Sequence, residues 1–266
     1  MNRILIIAAV AFGSSKLGAT VVVNLGSADS FAVLGSTTVT NTGNTTIFGN
    51  LGLSPGTSIT GFPPGQVAGG ATNIHIADAT AILAQNDLVT AYNYAAGQAC
   101  ANTLSQDLGG LTLTPGVYCF LSSAQLTGVL TLNALGDPNA VFLFQIGSTL
   151  TTATNSSVVF TNGGQGDSLF WQVASSATLG TSTAFQGNIL ALTSITMNTS
   201  ATIPCGRALA LNGAVTMDTN MVSIDTIGCE TTQTGGSVPE PSSASLILLT
   251  AAAGMTFRRW ANKISK

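Results

Sequence analysis

The sequence is poor in charged residues, and above all in basic ones. Only 6% of its 266 residues are Asp, Glu, Lys or Arg, far below the quarter that is usual in soluble proteins. Between residues 20 and 238 a single base, Arg207, stands against nine acids, which gives this part of the chain a net charge near −8. One arginine cannot neutralise a row of phosphates, so nucleic acids and anionic membrane surfaces are excluded as partners.

The motifs of common enzymes are also missing. The sequence contains no GxSxG, no phosphate-binding loop and no Cys–His pairing. Its carboxylates are scattered, whereas parallel β-helix lyases and hydrolases need clustered carboxylates beside a basic partner. There is one histidine, His75, and the cysteine spacings match no zinc pattern. We therefore expect no enzymatic activity, no metal site and no cofactor.

Cysteine is scarce but even in number. An exported chain with four cysteines is expected to form two disulfides, for which three connectivities exist. We favour Cys100–Cys119 and Cys205–Cys229, because each pair closes a short loop, which would contribute about 3 kcal/mol apiece.

The two ends of the chain differ from its body. The first nineteen residues, MNRILIIAAVAFGSSKLGA, combine a positive residue, an apolar run and small residues near Ala19, which is typical of a secretory signal peptide. We therefore divide the chain into a signal peptide at 1–19, a folded domain at 20–236 and a C-terminal segment at 237–266. Lys16 lies close to the cleavage site, so its exact position stays open.

Against these absences stands a repeat. Four phrases align: LFQIGSTLTTAT from residue 143, FWQVASSATLGT from 170, NILALTSITMNT from 188 and RALALNGAVTMDT from 207. The last three begin 18 and 19 residues apart. This period suits three strands of roughly five residues with their corners, which is one rung of a three-sided β-solenoid. Residues 31–42, 48–61 and 126–134 resemble further rungs.

One segment interrupts the repeat. Residues 74–108 are rich in alanine and contain a single glycine, Gly97. Leu88, Tyr92, Ala95 and Ala99 recur at helical spacing, so the segment is predicted to form a long helix beside the solenoid. Because β structure resumes after it, rungs that are neighbours in space need not be neighbours in sequence.

The repeat places threonines in columns. Strand side chains alternate between faces, and the positions flanking the first threonine of each phrase are largely apolar. These flanking positions should face the core, so Thr151, Thr178, Thr196 and Thr216 should point outward. Ala153, Gly180, Asn198 and Asp218 should form a second outward column. The later threonines of the phrases, Thr154, Thr181, Thr199 and Thr219, have inward parity or lie at a corner.

The rung phrases, the segment LTLTPGVYCF, the inserted helix and GRALALNGAVTMDTN resemble the microbial ice-binding protein family over roughly residues 24–229. The resemblance implies an all-β fold, a right-handed discontinuous three-sided parallel β-helix with one long α-helix alongside. Some members carry a T-A/G-X-T/N motif on the ice-binding face. Here it occurs at Thr152-Ala153-Thr154-Asn155 and at Thr42-Gly43-Asn44-Thr45, whereas the other aligned rungs have LGTS, MNTS and MDTN.

The columns and the motifs together define the predicted ice-binding residues. These are Thr42, Gly43, Thr45, Thr151, Thr152, Ala153, Thr154, Asn155, Thr178, Thr181, Thr196, Thr199, Thr216 and Thr219. The predicted partner is ice or an ordered water layer.

The C-terminal segment resembles a PEP-CTERM sorting signal of Gram-negative bacteria. Pro239-Glu240-Pro241 precedes an apolar run at 243–257 and then Arg258-Arg259. The resemblance implies an exosortase as a transient partner and a final place at the cell surface or in the extracellular matrix. The alternative is an ordinary C-terminal anchor with its positive residues inside, although the apolar run is short for a permanent span.

Two functions remain in competition at this point. The first is an exported or surface-sorted protein that adsorbs to ice through a regular threonine-bearing face. The second is a structural or adhesive matrix protein that binds exopolysaccharide. The chain has only two tryptophans, Trp171 and Trp260, which disfavours a strong sugar-binding site but not a weak, multivalent one.

Overall fold

Parallel β-strands and one helix make up the computed structural model, which describes residues 21–164 and 168–224. The predicted signal peptide, Cys229 and the C-terminal segment lie outside the described residues. Every strand pair in the described part is parallel. The chain passes through three rows of strands in the same order on each rung, and we number the strands β1–β23 along the chain.

The first row, which we name the helix-covered sheet, has nine strands. In spatial order these are β7 (Ile74–Ile76), β4 (Asn50–Leu53), β1 (Phe31–Gly35), β21 (Gly206–Ala210), β18 (Gly187–Ala191), β16 (Leu169–Val173), β13 (Phe142–Ile146), β10 (Gly116–Phe120) and β8 (Asn102–Thr103).

The second row, the threonine sheet, has seven strands. In the opposite spatial direction these are β11 (Ala124–Leu126), β14 (Leu150–Thr152), β17 (Ala177–Leu179), β19 (Ile195–Met197), β22 (Val215–Asp218), β2 (Thr38–Thr42) and β5 (Ser58–Thr60).

The third row is split into two groups. One group is β15 (Ser157–Thr161), β12 (Val129–Asn133) and β9 (Thr112–Leu113), and the other is β20 (Thr202–Ile203), β23 (Met221–Ser223), β3 (Thr46–Phe48) and β6 (Gln66–Val67). Single-residue bridges from Ala184 to Ser157 and to Thr202 join the two groups.

The stacking order of the rungs departs from the order of the sequence. Strand β1 pairs with β21, with Val33 opposite Ala208, so the N-terminal rungs extend the stack beyond the C-terminal rung. The chain then returns along the stack through the helix and starts again at β8. The register of the aligned phrases matches the sequence alignment, since Leu143 pairs with Phe170, Phe170 with Asn188, and Asn188 with Arg207.

The helix α1 spans Ala79–Ala96, so the predicted range of 74–108 is too long at both ends. It begins at Asp78, whose side chain accepts a hydrogen bond from the amide of Ala81 at 2.8 Å, the usual N-cap arrangement. Residues 74–76 and 102–103 instead form edge strands of the helix-covered sheet. Leu88, Tyr92 and Ala95 are buried as their spacing predicts, whereas Ala99 lies past the helix end and is exposed.

Two apolar clusters fill the structure. The larger lies inside the β coil, the space enclosed by the three rows of strands. It contains a stack of aromatic rings, in which the ring centroids of Phe144 and Trp171 are 4.1 Å apart. The smaller lies between α1 and the outward side of the helix-covered sheet, and it includes Leu88 of the helix with Leu190 and Leu209 of the sheet. The helix-covered sheet is thus buried on both sides, which explains why its strands are almost continuously apolar.

Polar contacts anchor the helix and the N-terminal segment to the coil. Cys100 and Cys119 form a disulfide with Cα atoms 5.9 Å apart, the first of the two pairings expected, and Cys205 is also disulfide-bonded. Gln145 donates to the carbonyl oxygen of Ala95 at 2.8 Å and so satisfies one of the last carbonyls of the helix. Arg207 forms a 2.8 Å ion pair with Asp29 of the N-terminal segment.

Candidate functional site

The outward side of the threonine sheet is the regular free surface of the described coil. Helix α1 covers the outward side of the helix-covered sheet. The third row is reduced to the single residue Ala184 between its two groups, and its outward side chains are mixed, with Val159, Thr131 and Met221 among them. A partner that repeats in space therefore meets a matching surface on the threonine sheet alone of the three rows.

A central column of threonines runs along this sheet. It contains six threonines in unbroken register, with Gln125 at one end: Gln125, Thr151, Thr178, Thr196, Thr216, Thr40 and Thr60. All six threonine side chains are partly or fully exposed. The residues on either side of Thr151, Thr178, Thr196 and Thr216, such as Ile195 and Met197, are buried.

The hydroxyls of the central column are largely free of protein partners. The hydroxyl oxygens of Thr216 and Thr40 lie 3.4 Å apart and form a long hydrogen bond. Within residues 21–164 and 168–224, no side-chain hydrogen bond to protein occupies Thr151, Thr178 or Thr196. A threonine side chain in a strand is stiff at χ1, so each methyl and each hydroxyl of the column keeps a fixed direction.

A second column, the edge column, lies two residues further along each strand from β11 to β2. Its members are Thr127, Ala153, Gly180, Asn198, Asp218 and Thr42. The side chains stay small over half of its length. At Gly180 a Cβ atom would lie 2.5 Å from the carbonyl oxygen of Thr152, so glycine is required by the close approach of two rungs.

A serine column lies two residues before the central column. Its members are Ser123, Thr149, Ser176, Ser194, Ala214, Thr38 and Ser58. Several of its hydroxyls are used within the protein: Ser176 accepts from the amide of Ser194 at 3.3 Å, and Ser194 accepts from the amide of Ala214 at 3.2 Å. These hydroxyls hold one rung to the next, whereas those of Thr151, Thr178 and Thr196 in the central column do not.

Two of the predicted ice-binding residues are wrong, because their side chains are buried. Thr152 is 3% exposed and Thr45 is 0% exposed. Thr152 accepts from the amide of Gly180 at 2.8 Å, and Thr45 accepts from the amide of Asn220 at 2.9 Å. Both satisfy backbone groups where the chain turns from the threonine sheet to the third row, so neither can touch a surface outside the protein.

This burial also shows that the two T-A/G-X-T/N matches are not equivalent in space. The first match begins at an inward residue, Thr152, whereas the second begins at an outward one, Thr42, which pairs with Asp218 in the edge column. A one-residue shift between the matches reverses which side chains face out.

The predicted corner column also changes register. Thr154, Thr181 and Thr199 are exposed at the corner and precede residues with positive φ, namely Asn155, Ser182 and Ser200. Thr219 itself has φ 55°. The amide of Ser182 donates to the carbonyl of Thr199, whereas the amide of Ser200 donates to the carbonyl of Asp218. The rung of Thr219 is therefore one residue shorter at this corner. Thr219 therefore takes the place of Ser200, and Thr199 has no counterpart in the rung of Thr219.

The remaining predicted residues lie on or beside the exposed face. Gly43 lies next to Thr219 on the adjacent rung, since the amide of Thr219 donates to the carbonyl of Thr42 at 2.8 Å. Asn155 is exposed at the corner. Two threonines of the central column, Thr40 and Thr60, were missed. A signal existed for Thr60, because the TSIT of residues 57–60 repeats the TSIT of 193–196.

The charged groups of the described residues serve structure. His75 contacts Asp78 at 2.9 Å, and the pKa of Asp78 is lowered chiefly by the amide of Ala81 and then by His75. On the face itself, Asp218 accepts hydrogen bonds from the hydroxyls of Thr199 and Thr219. No group of three or more metal-ligating side chains occurs in the described ranges, and no helix there is long and apolar enough to cross a membrane.

The described residues form a parallel β fold with a helix against one sheet and a regular column of threonines on another, which are the features expected of a class of protein that binds a repeating surface. Comparisons with known proteins agree. The profile of the ice-binding-like family matches residues 33–223. An ice-binding protein of Nostoc sp. (strain HG1) is 55% identical over 248 residues, which is 92% of this chain and 90% of the relative.

Solved structures give the same result. The crystal structure of an ice-binding protein from an Antarctic biological consortium is 50% identical, with a TM-score of 0.73 over 79% of this chain and 96% of that one. The ice-binding protein of the Antarctic ascomycete Antarctomyces psychrotrophicus is 41% identical, with a TM-score of 0.73 over 76% of this chain and 98% of that one. The chain belongs to the ice-binding-like family.

Proposed function

We propose that this protein adsorbs to ice through the outward side of the threonine sheet. The observation that carries the proposal is the central column, six threonines in continuous register whose side chains are partly or fully exposed. The relatives and the solved structures named above, which are ice-binding proteins by name, support the same partner.

The geometry of the sheet explains why ice suits it. Paired strands lie about 4.7–4.9 Å apart, and alternate residues along a strand about 6.6 Å apart. The central and edge columns therefore form a grid in which methyl groups can cage water and hydroxyls can anchor it. A layer of water held in this way continues into a crystal, and a molecule fixed to the crystal restrains its growth.

The face lacks the features of the competing function. Between β11 and β2, the side chains of the central and edge columns include no aromatic ring and one charge, Asp218. Sugar-binding sites favour exposed aromatic rings, so the face offers little to an exopolysaccharide. It binds ice, and any contact with a matrix is made elsewhere.

The test is to disrupt the column without touching the core. Replacing Thr178 and Thr196 with tyrosine places two large side chains on adjacent rungs of the face, above Leu179 and Met197. We expect the variant to lose most of its thermal hysteresis and ice-recrystallisation inhibition. Its stability should change by no more than about 0.5 kcal/mol per site, as for other surface substitutions.

The matched control carries the same substitutions on the third row. Thr131 and Thr202 are also partly exposed strand residues, so Thr131→Tyr with Thr202→Tyr adds equal bulk away from the face. This control should retain the activity of the parent. If the face variant folds and still arrests ice growth while the control loses activity, the third row is the ice-binding side.

We further propose a right-handed, three-sided solenoid that is exported through the segment 1–19 and sorted at the cell surface through the segment 237–266. The motif Pro239-Glu240-Pro241, the apolar run and Arg258-Arg259 support an exosortase as the processing partner. Replacing Pro239 and Glu240 with alanine should leave the protein unprocessed in the membrane fraction of its host. Release of a shortened variant, as in the parent, would exclude this route.

A further inference from the structure

A ladder of buried polar side chains lies beneath the edge column. Its members are Thr152, Ser156, Thr183, Asn220 and Thr45, and each is at most 3% exposed. They lie at the corner where the chain leaves the threonine sheet for the third row. Their partners are the backbone groups of neighbouring rungs, such as the carbonyl of Leu126 for Ser156 at 2.9 Å and the carbonyl of Asn198 for Asn220 at 2.9 Å.

Two of these residues form a continuous chain of hydrogen bonds. The amide of Gly180 donates to the hydroxyl of Thr152 at 2.8 Å, the hydroxyls of Thr152 and Thr183 lie 2.8 Å apart, and Thr183 donates to the carbonyl of Ala153 at 3.2 Å. A carbonyl can only accept, so the single proton of Thr183 goes to Ala153, and the proton of Thr152 goes to Thr183. Every donor and acceptor in the chain is used once.

The two ends of this chain are members of the edge column on adjacent rungs. Neither Ala153 nor Gly180 has a polar side chain that could bond to the next rung. Each lies two residues after a central threonine, Thr151 and Thr178 respectively. Buried hydrogen bonds that share protons in sequence strengthen each other and rigidify the groups they join. The separation of the two backbones at the edge of the face is thus set from inside the protein.

We infer that Thr183, acting with Thr152, is a positioning residue for ice binding. It holds the edge column flat and in step with the central column, although it never reaches the surface. The inference rests on the proposed function, because it assigns to buried side chains the geometry that the exposed grid requires. It also gives Thr152, the first threonine of its motif, a role that does not require exposure.

The experiment compares three variants of the full chain. Thr183→Val keeps the shape of the side chain but removes the hydroxyl, Thr183→Ser restores the hydroxyl, and Val158→Ala weakens the core at a buried site of the third row. Thermal hysteresis is measured near the freezing point of water, once circular dichroism has shown that each variant is folded there. We expect a several-fold loss for Thr183→Val and near-parental activity for the other two.

The outcomes separate this inference from the proposed function. If Thr183→Val retains parental activity while the Thr178→Tyr, Thr196→Tyr variant loses it, the positioning role is wrong and the ice face stands. The positioning role is also wrong if Val158→Ala loses as much activity as Thr183→Val, since destabilisation alone would then explain the loss. If the tyrosine variant is fully active, the face itself is wrong.

A measurement on the parent guards against a variant that does not fold. The amide of Gly180 lies just beyond the end of β17, where exchange with solvent would be fast without a partner. We expect its hydrogen exchange to be as slow as that of core strand amides, because it donates to a buried hydroxyl. Exchange as fast as that of an exposed corner amide would overturn the inference.

Discussion

The helix-covered sheet and the threonine sheet are built by the same rungs, yet one is buried on both sides and the other is open. The difference lies in the outward positions. On the helix-covered sheet these include Leu190, Leu209 and Leu34, which pair in register and pack against α1. On the threonine sheet the corresponding positions are Thr196, Thr216 and Thr40. Parallel strand geometry is thus common to both sheets, and the residues of the outward column decide whether protein covers a sheet or leaves it open to solvent.

The largest effect should come from exchanging one residue between the two columns. Leu190 is fully buried in the cluster beneath the helix. Leu190→Thr would remove apolar contacts and bury a hydroxyl among apolar side chains. We expect a loss of about 3 kcal/mol in the free energy of unfolding, measured by denaturant titration, with ice activity of the folded protein retained.

The reciprocal substitution, Thr196→Leu, should do the opposite. Because Thr196 is partly exposed, its replacement should change stability by no more than about 0.5 kcal/mol, while thermal hysteresis falls as one hydroxyl of the grid is lost. Equal destabilisation by both substitutions would mean that the two sheets are not distinguished by their outward columns.

The period of the sequence predicted the rungs well because strand alternation is local. The alignment of four phrases placed Thr151, Thr178, Thr196 and Thr216 in one outward column, and the strand pairing has that register. The helix was predicted in the right segment, but its ends were not, because the edge strands beside it are short and lack a period of their own.

The places of Thr40, Thr152 and Thr45 depend on contacts between rungs, and the period of the sequence does not specify these contacts. Thr40 joins the column next to Thr216 only because β2 pairs with β22, across 176 residues. Motif matching also placed Thr152 and Thr45 on the surface, since a motif records residue types but not which way a strand faces. The side-chain direction of a corner residue is set by the carbonyls and amides it must satisfy.

A smaller effect should come from the one charge in the edge column. Asp218 lies between Asn198 and Thr42, and its carboxylate accepts from two threonine hydroxyls. A carboxylate holds its hydration shell strongly, which opposes an ordered, ice-like water layer. Asp218→Asn should therefore raise thermal hysteresis modestly and change stability by less than about 1 kcal/mol. Asp137→Asn, in an exposed loop, serves as the control, and an equal rise there would assign the effect to net charge.

The smallest effect concerns how the N-terminal segment is fixed to the helix beside the helix-covered sheet. Asp87 of α1 accepts from the amide of Ser27 at 2.7 Å, and this bond, followed by one from the Ser27 hydroxyl, lowers the pKa of Asp87. A carboxyl with a lower pKa in the folded state adds stability above its unfolded pKa, and that stability is lost as the pH falls through the folded pKa. The melting temperature of Asp87→Asn should therefore lie slightly below that of the parent at neutral pH and approach it in acid. Ice activity, which we propose to depend on the threonines of the central column, should follow neither change. A difference in melting temperature that stays constant with pH would mean that the carboxylate contributes no charge-dependent contact there.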